Sequence, residues 1–168
     1  LTLPLMVGLT MTFSTEIFFN FFGSYLEEGS IAALNYSLRL MFILVGIFGQ
    51  AVGVASYPFM AKLASENNFE KMNDILNRTL RFLFLVIPFS VLFIILRYEI
   101  VLLVFKRGSF DLAATQFTSR VLPFLMAGAA AFCAQTIVVR GYYAVKNTWF
   151  PALFSTITVA ASLPLFFI

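Results

Sequence analysis

Residues 31–60 read IAALNYSLRLMFILVGIFGQAVGVASYPFM, a stretch whose one charged residue is Arg39. About 20 apolar residues, rising about 1.5 Å each, cross a hydrocarbon core of about 30 Å, so this stretch is long enough to span a bilayer. Similar runs flank it. Working outward, spans are expected over 3–22, 31–60, 82–105 (with a break at Arg97-Tyr98-Glu99), 121–139 and 150–168, the fourth bracketed by Arg120 and Arg140. The six tyrosines (Tyr25, Tyr36, Tyr57, Tyr98, Tyr142, Tyr143) and Trp149 fall near the ends of these runs, where an aromatic belt sits.

Composition agrees with that reading. The chain has 168 residues, of which 61% are hydrophobic and 11% charged, with mean hydropathy +0.94. A soluble domain carries about 45–50% apolar and about 25% charged residues, and a chain this short could not hide the excess from water. The 22 phenylalanines suit helices that face acyl chains. The fold class expected is an all-α polytopic membrane protein.

The same counts exclude chemistry. With no histidine, Ser-His-Asp and Cys-His catalysis and histidine metal sites are ruled out within this chain. Cys133 stands alone, which leaves no intrachain disulfide, and it reads as a small buried apolar residue. The net charge of +3 is too small and too scattered to imply a nucleic-acid partner. No phosphate-binding glycine loop, Walker motif or CxxC appears, so nothing marks an enzyme, a metal site or an organic cofactor.

Between the second and third spans, 62–81 carries Lys62, Lys71, Arg78 and Arg81 against Glu66, Glu70 and Asp74. Phe69, Met72, Leu76 and Leu80 recur at three- and four-residue steps, which predicts an amphipathic helix lying in the interface as a linker. The turn 24–30 holds only Glu27 and Glu28, while Arg140 and Lys146 flank the turn between the last two spans. The positive-inside rule then places 62–81 and 140–150 in the cytoplasm and 24–30 outside, with Lys106 and Arg107 running against the rule.

Charge inside a bilayer demands a reason, since it costs roughly 2.5–3.5 kcal/mol at a helix centre on insertion scales. Glu16 and Arg39 carry that burden. Both sit roughly 10–12 Å from the turn that joins their helices, so a pair or a shared cavity is expected, the alternatives being an Arg39 that snorkels to the outer headgroups and a Glu16 that is protonated and hydrogen-bonded between helices. Thr12, Glu16 and Asn20, with Gly8 and Gly23, share one face of the first span and mark it as turned to protein or water. In the second span Arg39, Gly46 and Gly53 recur every seven residues with Gly49 beside them, and the Gly49-x-x-x-Gly53 spacing lets another helix approach closely. Gln50 is expected to bond between helices. In the fourth span, 127–134 (AGAAAFCA) offers a second small-residue surface.

Three stretches together carry a family resemblance. GSIAALNYSLRL (29–40) followed by GIFGQAVG (46–53) and Pro58, LLVFKRGSFD (102–111) and RGYYAVKNT (140–148) with Pro151 resemble, in order and spacing, elements of the MurJ/MviN lipid II flippases of the MOP exporter superfamily. The resemblance implies a fragment covering roughly the seventh to eleventh helices of a fourteen-helix protein, a partial second lobe of a MATE/MOP-type two-lobe transporter in the bacterial inner membrane. It implies that the missing first lobe completes the cavity and that membrane lipids surround it. It implies, too, a flippase that moves undecaprenyl-pyrophosphate-linked peptidoglycan precursor by alternating access, without covalent chemistry. Arg39 matches a position thought to bind the pyrophosphate, and a guanidinium fork suits that group. Leu38 and Phe42 stand where many members carry an acidic residue. Phe19, with Asn20 beside it, stands where some carry an Asp or Asn linked to sodium. Coupling to a monovalent cation or to the membrane potential stays open, with Glu16, Asn20 and Thr12 as candidates. The rival readings are another MOP-type transporter, for an O-antigen-type glycan or a drug/cation exchange, and a non-transporting scaffold for cell-wall synthesis.

Overall fold

The computed structural model describes residues 21, 23, 25, 27–106 and 110–162. The expected first span, 3–22, lies outside the described residues except for Phe21. Every regular element among the described residues is helical.

Helix α1 (Ser30–Leu44) runs through a π-helical turn (Val45–Gln50) into α2 (Ala51–Ser65). Helix α3 (Phe69–Phe82) continues through a 3-10 turn (Leu83–Leu85) into α4 (Val86–Ile95) and, after Leu96, α5 (Arg97–Phe105). Two more follow, α6 (Leu112–Ala144) and α7 (Trp149–Ser162). By length and apolarity three continuous stretches can each cross a membrane: Ser30–Ser65, Phe69–Ile95 and Leu112–Ala144. At about 1.5 Å per residue the first is about 54 Å long, well beyond the hydrocarbon core.

The helix ends follow local chemistry. Gly29 supplies the left-handed backbone (φ 91°) that starts α1, and its carbonyl accepts from Ala33 N at 2.8 Å. The Asp111 carboxylate caps α6 by accepting from Ala114 N at 2.8 Å. The turns after α2 and α6 share one design. Asn67 (φ 56°) and Lys146 (φ 58°) take the left-handed conformation that ends a helix. The next residue then caps the following helix: Asn68 Oδ1 accepts from Lys71 N and Asn147 Oδ1 from Phe150 N, each at 3.3 Å.

Helix α6 is the hub. Its Leu122, Met126, Ala129, Cys133 and Ile137 are fully buried, three or four residues apart, and the rest packs around that stripe. Ser37 Oγ donates to the Thr118 carbonyl at 3.2 Å, while Gly49 abuts Cys133. Both numbers rise together, so α1–α2 runs parallel to α6. The α3–α4 stretch is antiparallel to α1–α2: Met60 clusters with Met72, and Phe48 packs against Phe89, ring centroids 5.2 Å apart. The turns at 66–68 and 145–148 therefore share one end of the bundle and 27–29 lies at the other, which is how the loop charges group them.

Several boundaries differ from expectation. The segment 62–81 is not a separate element: Lys62 belongs to α2, and 69–82 is one amphipathic helix that runs on into the apolar stretch ending at Ile95, with Met72 buried and Ile75 and Leu76 packed on α2 and the end of α6. An apolar stripe has the same period whether it faces lipid or a neighbouring helix, so periodicity could not separate the two. The break in the third span falls on Leu96 alone, with Arg97 and Glu99 in the first turn of α5. Pro88, in the first turn of α4, accounts for the 3-10 turn, since a proline offers no donor to the carbonyl four residues back, here Phe84, and its ring disfavours regular helix there. Helix α6 extends beyond 121–139 at both ends because hydropathy marks membrane depth and not helix termini.

Candidate functional site

Along α1 the buried residues Ala33, Ser37, Leu40, Met41, Leu44 and Val45 face the core. Arg39 lies opposite and is exposed. Its guanidinium sits over the Tyr36 ring, 5.6 Å from the centroid, which braces the cation. Tyr36 in turn packs against Phe105 and Phe110, ring centroids 4.8 and 5.0 Å away. Between the starts of α1 and α6 and the end of α5 lies a cleft of about 700 Å³, lined by Tyr36, Phe105, Phe110 and Phe117 with Glu27 and Glu28 at its edge. Arg39 therefore stands beside an aromatic cluster and on the face of α1 turned away from α6. Glu16, Asn20 and Thr12 lie outside the described residues, and with them the pairing of Glu16 and Arg39. Among the described residues no group of three His, Cys, Asp or Glu gathers as a metal site.

The glycines of the second span separate into two kinds. A Cβ at Gly49 would stand 3.1 Å from Cys133 Cα and 3.2 Å from its Sγ, so the two helix backbones meet there. A Cβ at Gly53 would stand 2.8 Å from Arg140 Nη1. Gly46 differs: a Cβ there meets nothing within 4 Å, so the packing expected at this position is made by no described residue.

The π turn explains the split. A π turn closes i to i+5 and holds one residue more than an α turn, which offsets everything beyond it by about 100° relative to a regular helix. Arg39 and Gly46 precede this offset and share the open face. Gly49 and Gly53 are brought back toward α6. The seven-residue stripe of the sequence is thus cut between Gly46 and Gly53. In the fourth span, too, the described residues use only part of the small-residue surface: Ala129 and Cys133 are buried, whereas a Cβ at Gly128 would meet no described residue within 4 Å.

Sequence reasoning missed the group that meets this turn. Arg140, partly buried near the end of α6, donates from Nη1 to the Gln50 carbonyl at 3.0 Å and from Nη2 to Gln50 Oε1. Gln50 does bond between helices, as expected. Its partner read in the sequence only as a loop charge and the first residue of a motif. The signal available was a small residue, Gly53, three positions from an intramembrane amide.

The family model described as "Lipid II flippase MurJ" matches residues 1–166. A Rhizobium tropici protein named "Probable lipid II flippase MurJ" is 31% identical over 137 residues, 81% of this chain and 26% of that protein. A Bdellovibrio bacteriovorus protein of the same name is 26% identical over 164 residues, 97% of this chain and 31% of its own length. One from Thermotoga maritima is 29% identical over 139 residues, 82% of this chain and 28% of its own. The chain spans about a quarter to a third of the length of these relatives. No solved structure matches it. A match along nearly the whole chain, on a bundle of membrane-length helices, settles the family: the chain belongs to the lipid II flippase MurJ family.

Proposed function

We propose that this chain forms part of a flippase that carries an undecaprenyl-pyrophosphate-linked peptidoglycan precursor across the bacterial inner membrane by alternating access, making and breaking no covalent bond. The observation that carries the reading is Arg39. It stands nine residues into a membrane-length helix, about 13 Å along its axis, on the face not used for packing against α6. Among the described residues its partner is the Tyr36 ring. A guanidinium inside hydrocarbon is tolerable where it meets water, an anion or a carboxylate, or where its stem lets it reach the headgroups. A pyrophosphate offers paired oxygens that match its fork. The other lobe of the transporter would close the cavity around the substrate. Coupling to a monovalent cation or to the membrane potential is part of the same proposal, with Glu16, Asn20 and Thr12 as the residues to test.

The test uses the full-length protein in cells. On depletion, lipid-linked precursor should become shielded from an externally added enzyme that cleaves it. A copy carrying Arg39→Ala should insert normally and fail to reverse the shielding. Precursor that stays accessible on depletion would sink the flippase reading, and full reversal by Arg39→Ala would remove Arg39 from it.

A further inference from the structure

We infer that Arg140 is the positioning residue that sets the azimuth of Arg39, by holding the π turn between the two halves of the second span; this rests on the flippase reading only for Arg39's contact with substrate.

The guanidinium grips one residue of the turn twice, through the backbone carbonyl and the side-chain oxygen of Gln50. It lies against Gly53, where a Cβ would displace it. A single residue held at both main chain and side chain has its backbone direction fixed. Gln50 is also the last residue of the π turn, the point where the offset between the halves is complete. Each half has its own anchor as well. The outer half is tied to α6 by Ser37 and Thr118. In the inner half Met60 shares an apolar cluster with Met72 and Ala144. If the turn closed to a regular α-helix, the halves would rotate relative to one another by about 100°. Both anchors could not then be kept. With the outer half displaced, Arg39 would leave the face beside Tyr36 and swing toward lipid or the α6 interface.

Two cysteine pairs in the full-length protein report the phase: Ser37→Cys with Thr118→Cys for the outer half, and Met60→Cys with Ala144→Cys for the inner. Both should form disulfides under oxidation when Arg140 is present. Arg140→Ala should lower the yield of at least the outer pair by about tenfold, the change given by about 1.4 kcal/mol, and should abolish precursor flipping. Gly53→Ala should act in the same direction.

Deleting Ile47, a largely exposed residue of the turn, removes the extra residue and leaves a regular helix that needs no holding. In that background Arg140→Ala should restore both cross-links and flipping. A residue that merely tied α6 to α2 would gain nothing from the deletion.

Both pairs forming at full yield in Arg140→Ala would overturn the inference. So would failure of the Ile47 deletion to tolerate Arg140→Ala, a result that can be read even if the single variant does not accumulate. A lost outer pair with normal flipping would uphold the positioning by Arg140 and sink the proposed role of Arg39, whereas loss of the inner pair alone would overturn the claim that Arg140 sets the azimuth of Arg39.

Discussion

Alanine at Gly49 and alanine at Gly46 should shift stability in opposite directions, although the two sites are three residues apart in one turn. Either substitution removes a glycine from a helix, which by itself stabilises by up to about 1 kcal/mol. At Gly46 no described residue opposes that gain, because the new methyl meets none of their atoms within 4 Å. At Gly49 the methyl would lie 3.1, 3.2 and 3.3 Å from the Cα, Sγ and Cβ of Cys133, where carbon pairs prefer about 3.5–4.0 Å. The nearest of these atoms is backbone, so relief requires the helices to separate. Overpacking of this kind costs about 1–3 kcal/mol. Gly49→Ala should therefore be net destabilising by up to about 2 kcal/mol and Gly46→Ala stabilising by about 0.5–1 kcal/mol. Denaturant titration of the full-length protein in mild detergent, followed by tryptophan fluorescence or limited proteolysis, resolves a gap of that size. Equal shifts of one sign would refute the close contact between the second and fourth spans and the phase assigned to the π turn.

Other outcomes follow from single contacts. Ser37→Ala removes a hydroxyl bond to the Thr118 carbonyl and should cost about 0.6 kcal/mol, the usual worth of such bonds between membrane helices; the same titration measures it. Asp111→Ala removes the cap of α6 and should cost about 0.5–2 kcal/mol, with Asp111→Asn close to the parent in thermal unfolding. Cys133, fully buried against Gly49, should resist a small maleimide in the folded protein and react once it is unfolded. Rapid labelling under native conditions would show that the two helices part there.

Much of the architecture was legible in the residues because lipid acts on each helix separately. A run such as 31–60 must be helical wherever it packs, since no other conformation satisfies its backbone in hydrocarbon. The turns at Asn67-Asn68 and Lys146-Asn147 likewise follow from local chemistry, and loop charge grouped them together, at the one end of the bundle where the parallel pairing of α1–α2 with α6 places both. Arg39 was singled out because an intramembrane charge is costly in any fold. Nothing in the described residues bears on Glu16.

What the sequence could not decide is anything that depends on which helix lies next to which. The stripe of Phe69, Met72, Leu76 and Leu80 has one period whether it meets lipid or α2, so only the packed bundle showed that this helix lies against α2 and runs on into the apolar stretch that follows. The spacing of Arg39, Gly46 and Gly53 assumes a regular helix. A single π turn shifts the later glycines by about 100°, and nothing in the sequence of the turn announces it. That turn is gripped by Arg140, ninety residues away in the chain. By itself the sequence determined the fold class, the three membrane-length stretches among the described residues and the charge that must be explained. Only tertiary structure decided the face on which each residue lies, because azimuth is set by contacts between helices and not within them.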